Sequence, residues 1–136
     1  MKLNVFHFHF SDDEGWRLEI PALPELTEIG AKRSSTGDSK NNLPPSFGSG
    51  AETANSGTGF YSREDFIEIL KYANQRHIKV IPEIESPGHA LATVKAMDAR
   101  HERLMKARQP IEARKYLLRD FVIILNIARC KAGMTM

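Results

Sequence analysis

Cysteine is nearly missing from this chain: 136 residues contain one, Cys130, so no internal disulfide can form. That residue sits in an unusual C-terminal stretch and is read as an inert thiol. Long apolar runs are missing too. The longest covers Phe121 to Leu125, then Ile127-Ala128, far short of the roughly 18 residues that a membrane-spanning helix needs. An excess of one charge is also lacking. The 19 basic and 17 acidic residues are intermixed and leave a net +2, so no basic face for nucleic acid forms. The first residues, MKLNVFH, do not make a secretory signal, because histidines interrupt the apolar stretch and no small-residue cleavage site follows. A chain that opens directly into a strand is expected to have lost what preceded it. What is present is ordinary: 41% hydrophobic and 26% charged residues describe one modest globular domain.

Residues 2–10 (KLNVFHFHF) alternate. Asn4, Phe6, Phe8 and Phe10 share one face, and Val5, His7 and His9 the other, as in a strand covered by helices on one side and lining a polar interior on the other. Residues 11–61 read mostly as loop. Asp12-Asp13-Glu14-Gly15 suits a turn, Trp16 to Ile20 a short alternating segment, and Pro21 and Pro24 break any regular element. Residues 34–59 are rich in Ser, Gly, Asn, Thr and Pro with no apolar period. A loop of that length is uncommon in a compact domain unless it is functional or disordered, and it reads as an excursion from a barrel rim.

Ser62 is a good N-cap with Asp65 three residues on, and Phe66, Ile69, Leu70 and Ala73 then mark one buried helical stripe. Arg76 and His77 close this helix, with the His77 imidazole expected to cap it. Ile78 to Ile84 forms a second strand, with Pro82 near its C-terminal end because it cannot donate to a ladder. Strand, helix and strand in this order predict a right-handed crossover and parallel pairing. Helices are predicted from Ala90 to about Ala107 and from Pro110 through Leu118, with Met97 and Met105 in the core.

Two polar groups stand just past strand ends: His7-x-His9-x-x-Asp12-Asp13 and Glu83-x-Glu85-x-Pro87-Gly88-His89. In parallel α/β proteins the loops at the carboxyl ends of strands build the site. A carboxylate facing an imidazole there fixes its tautomer and favours its protonated form. The imidazole can in turn tune a further acid, as general acid catalysis requires. Order along the chain pairs Asp12 with His89. His7 and His9 read as structural lining residues, Glu83 and Glu85 as hydrogen-bonding residues, and Asp13 as the cap of its own turn. Trp16, the single tryptophan, can pack under the rim loop or face a bound ligand.

KLNVFHFHFSDDEGWRLEIPALPELTEIGAKR, LPPSFGSG and FYSREDFIEILKYANQRHIKVIPEIESPGHA together resemble family 20 of the glycoside hydrolases, chitobiase-type β-N-acetylhexosaminidases in particular. The likeness runs from Lys2 to about Asp120. It implies an α/β fold, a fragment of a (β/α)8 TIM barrel from about strand 2 to helix 3, with residues 1–120 a partial catalytic barrel and 121–136 an atypical tail. It implies removal of terminal non-reducing N-acetylglucosamine or N-acetylgalactosamine with retention, the substrate's 2-acetamido oxygen acting as nucleophile. It implies no metal or organic cofactor. The partners implied are N-acetylhexosamine-terminated glycans or chitooligosaccharides, not nucleic acid or membrane, in a secreted, periplasmic or lysosomal setting. Asp12 and His89 match the family's supporting aspartate and histidine, which hold and tune the catalytic glutamate.

The chain departs from that pattern where the chemistry is done. No His-x-Gly-x-Asp-Glu motif occurs, and Asp13-Glu14 is an adjacent acidic pair in the wrong motif. The family's sugar-clamping arginine would precede Lys2, and its pocket tryptophans would follow on later strands. A closed barrel takes about 250 residues. This chain alone is therefore expected to be poorly soluble or molten and without hexosaminidase activity. Two rival readings remain. One is a non-catalytic carbohydrate-binding or regulatory fragment. The other is a metal-dependent amidohydrolase barrel with His7 and His9 as ligands, although GWRLEI and Pro-Gly-His have no place in it.

Overall fold

The computed structural model describes residues 2–35 and 42–117. Expectations for 121–136, and for the last helix at Leu118, lie outside the described residues. Strand β1 (Val5–His9) pairs in parallel with β4 (Lys79–Glu83), His9 standing opposite Glu83. Between them lie a short hairpin, β2 (Ser11–Asp12) with β3 (Gly15–Trp16), and helices α1 (Glu25–Glu28) and α2 (Arg63–Asn74). Helix α3 (Leu91–Lys106) follows β4, and α4 (Pro110–Ala113) runs into a single 3-10 turn, Arg114–Tyr116. The parallel pairing of the two strands across the intervening helix is as the sequence predicts. The final helix is shorter than expected, one α turn tightening to 3-10.

The face assignment in β1 holds. Phe6, Phe8 and Phe10 stack on one side with centroids 4.9 and 4.1 Å apart, and Phe66 of α2 meets Phe10 edge-on at 5.1 Å. Helix α2 begins with a reciprocal capping box: the Asp65 N–H donates to Ser62 Oγ at 3.0 Å, and the Ser62 N–H donates to Asp65 Oδ2 at 2.8 Å. Its stripe is only half covered, for Ala73 is buried while Leu70 remains 39% exposed. The helix ends differently from expectation. His77 adopts φ 55, and the Ile78 N–H returns to the Ala73 carbonyl, so the His77 backbone makes the stop.

The region read as loop holds the core. Trp16, Leu26 and Leu43 pack against Ala92, Ala96 and Met97 on one face of α3. Trp16 is 5% exposed and donates its indole N–H to the Leu18 carbonyl, which settles its packing role. Pro24, expected to break structure, instead starts α1 as its N-cap at φ −61, an angle its ring fixes in advance. Met105 is 48% exposed, about two turns past Met97, the last buried residue of α3, and so is not the core residue expected.

Two charged groups organise this half. Arg17 donates to the carbonyls of Glu14, Ala31, Gly57 and Gly59 at 2.8–3.2 Å, pinning residues far apart in sequence. Burial, then the neighbouring Arg33 charge, pulls its pKa down. Glu25, only 3% exposed, takes Arg100 and Arg103 of α3 as ion-pair partners, and Arg100 also lies over the Tyr116 ring at 4.6 Å.

Candidate active site

The parallel register carries both polar groups to the same end of the sheet. His9 and Glu83 are the last residues of their strands and stand side by side, so their side chains leave on one face. The backbone continues the match: the Phe10 N–H donates to the Glu83 carbonyl at 3.1 Å, and the Glu85 N–H to the buried Ser11 hydroxyl at 2.8 Å.

From there the side chains alternate imidazole and carboxylate. Glu83 Oε2 lies 2.8 Å from His7 Nε2, and Glu83 Oε1 lies 3.2 Å from His9 Nδ1. His9 Nε2 lies 3.1 Å from Asp12 Oδ2, and Asp12 Oδ1 lies 3.4 Å from His89 Nδ1. The sequence-predicted pair, Asp12 and His89, is thus brought to ion-pair distance across 77 positions. His89 sits at φ 50, a left-handed conformation that costs a residue other than glycine of order 1–3 kcal/mol and that concentrates at functional sites.

Asp13 does not cap its own turn. Its Oδ1 accepts the Leu91 N–H at 3.0 Å, supplying α3 with the cap that Ala90 cannot, and its Oδ2 lies 3.9 Å from His89 Nδ1. Glu14 pairs with Arg33 at 3.0 Å. The adjacent acids Asp13 and Glu14 are therefore engaged elsewhere, in keeping with their unsuitable motif. Glu83 is a hub between two imidazoles, a role the sequence reading missed. Its signal was available: strands that pair in parallel and end together put their last residues in contact.

The charges follow from this geometry. Asp12 is held below the ordinary carboxylate range, first by the Asp13 N–H, which donates to it at 2.6 Å, and then by His9 and His89. His9 is raised above 6.5 by its bonds to Asp12 and Glu83. Glu83 is lowered by its hydrogen bond with Glu85, then by His9 and His7. Ligand-type atoms gather within 4.8 Å in two groups, His9-Glu83-Glu85 and Asp12-Asp13-His89. Both ring nitrogens of His9 face carboxylates, Nδ1 toward Glu83 and Nε2 toward Asp12. A groove of about 590 Å³ runs along α2, lined by Phe60, Tyr61, Asp65, Glu68, Ile69 and Tyr72. None of the cluster residues lines it, so the chemistry is not placed there.

A parallel β-α-β unit with imidazoles and carboxylates at the carboxyl ends of its strands has the layout of α/β proteins that build their sites at strand ends. The chain belongs to glycosyl hydrolase family 20: residues 1–130 match that family's catalytic domain. It is 52% identical over 119 residues to the beta-hexosaminidase of Vibrio vulnificus, covering 88% of this chain and 14% of that protein. It is 54% identical over 119 residues to the N,N'-diacetylchitobiase of Vibrio harveyi, with the same 88% and 14% coverage. Among solved structures, the family 20 exo-β-N-acetylglucosaminidase from Vibrio harveyi bound to N-acetylglucosamine superposes with a TM-score of 0.60 at 43% identity. That match covers 71% of this chain and 14% of the other. The family supports glycosidase function, and the amidohydrolase reading of His7 and His9 is set aside. No helix among the described residues is long and apolar enough to cross a membrane.

Proposed function

We propose that this chain is the section of a β-N-acetylhexosaminidase barrel, from about strand 2 to helix 3, that houses the support for the proton donor rather than the donor itself. The observation that carries this is Asp12 Oδ1 at 3.4 Å from His89 Nδ1, at the carboxyl ends of two parallel strands. An imidazole held by a carboxylate can orient a neighbouring carboxylic acid and keep its proton available for the leaving oxygen. The substrate would be a glycan or chitooligosaccharide ending in N-acetylglucosamine or N-acetylgalactosamine, cleaved with retention through its own acetamido oxygen. Asp12 and His89 act as positioning residues; the Asp-Glu pair for that chemistry does not occur in this sequence. By this reading the 136-residue chain turns over no substrate alone.

A chimera tests it. Replacing the matching segment of the Vibrio harveyi chitobiase, 54% identical, with residues 2–120 should restore a working enzyme, while the isolated chain stays inert on a chromogenic N-acetylglucosaminide. Asp12→Asn in the chimera should lower kcat about 10²-fold, with KM changed far less. An unimpaired Asp12→Asn chimera, or turnover by the isolated chain, would sink the proposal.

A further inference from the structure

Asp12 and His89 are the last two members of a longer file: His7, Glu83, His9, Asp12, His89. Its centre is His9. Nδ1 faces Glu83 Oε1 at 3.2 Å and Nε2 faces Asp12 Oδ2 at 3.1 Å. An ionised carboxylate only accepts hydrogen bonds, and a neutral imidazole has one N–H to give. Two acceptors on opposite ring nitrogens require two donors. We propose that His9 is held as an imidazolium between Glu83 and Asp12, a positioning residue that keeps Asp12 ionised with its second oxygen turned to His89.

The groups around it are consistent with that charge. Glu83 comes from β4 and Asp12 from β2, and both are held below the ordinary carboxylate range by their hydrogen-bond partners. His7 is the further neighbour through Glu83, as His89 and Asp13 are through Asp12, while Glu85 stands beside Glu83. The bonds share out the oxygens of Asp12: Oδ2 to His9, and Oδ1 to the Asp13 N–H and His89. With Oδ2 anchored, the carboxylate cannot rotate away from His89. The side chains of His9 and Asp12 are 46% and 42% exposed, so a fixed partner matters here: water competes for Asp12 whenever His9 lets go. The purpose given to this cation rests on the proposed function above, but its charge does not.

The test uses the whole chain labelled with 15N in its five histidines and long-range ring spectra recorded from about pH 5 to 9. At pH 7.5, where a free imidazole has lost its proton, His9 should still show the near-equal ring nitrogens of an imidazolium. Glu83→Gln and Asp12→Asn should each lower its titration midpoint and split the two nitrogens, and the double variant should lower it furthest. Glu83→Gln keeps the side chain's shape, so a packing role alone would leave the midpoint in place. Split nitrogens at pH 7.5 in the unchanged chain overturn the proposal. So does a midpoint indifferent to Glu83→Gln, or five histidines titrating together with an undispersed Trp16 indole proton. Failure of the relay reading looks different: Asp12→Asn then shifts His9 but leaves the His89 ring resonances where they were.

Discussion

The strand pair leaves Val5, Phe6, Ile81 and Ile84 between 39% and 54% exposed, whereas Trp16, Leu26 and Leu43 of the apparent loop are between 0% and 5% exposed. The sheet half bears His7, His9 and Glu83, Asp12 and His89 stand where it meets the other half, and the loop half, with α3, bears the packed core. A parallel pair is buried only when other elements cover both its faces, and two strands leave two open edges. The loop needs no such company. Leu26 and Leu43 close on the small side chains Ala92 and Ala96, and Arg17 donates to four carbonyls of the irregular backbone. In this chain, then, the packed core and the His7-Glu83-His9 part of the polar file belong to different halves. The chain spans 14% of the Vibrio relatives it matches, and His7, His9 and Glu83 lie in the half that depends most on neighbours. In place of a uniformly molten chain, this division predicts poor solubility from the sheet and one cooperative core in the loop.

Core truncation should separate the halves most sharply. Leu43→Ala is expected to lower stability by about 3 kcal/mol in a denaturant titration followed by Trp16 fluorescence. Val5→Ala, on the open strand, should fall below about 1 kcal/mol. Equal losses at the two positions would erase the contrast. Next in size is Glu25→Ala, which leaves Arg100 without its carboxylate inside the core. We expect about 2 kcal/mol by the same titration, below the range for a fully buried pair because Arg103 stays hydrated. Ser62→Ala removes half the capping box of α2 and should reduce stability by about 1 kcal/mol, with helix loss visible by circular dichroism.

The smallest effect is the dependence on pH, because the cluster is open to water. His9 has a raised folded value. Its contribution is full below the unfolded 6.5 and is lost as pH rises through the folded value above that. Asp12 has a lowered folded value, so its contribution is full above the unfolded 3.8 and is lost as pH falls through the folded value below that. The cluster should thus hold best between about pH 4 and 6.5, and His9→Gln should flatten the alkaline side of a melting-temperature profile. An unchanged slope in that variant would remove the cluster from the stability argument.

Sequence periodicity was enough to place β1 and α2, because alternation at period 2 and stripes at 3.6 arise from local backbone geometry, and a short β-branched run from Ile78 to Ile84 marked β4. The motifs Asp12-Asp13-x-Gly15-Trp16 and Pro87-Gly88-His89 were enough to bring Asp12 and His89 together, since a crossover returns the chain to the same sheet end. Residues 11–61 were not legible. Their core is built from Trp16, Leu26 and Leu43, whose spacing of 10 and 17 positions has no local period. Only folding could decide that Asp13 would cap α3 from 78 residues away and that Glu25 would sit buried between two arginines. Local geometry reaches about one turn or one strand along the chain, and a charge finds its partner through space.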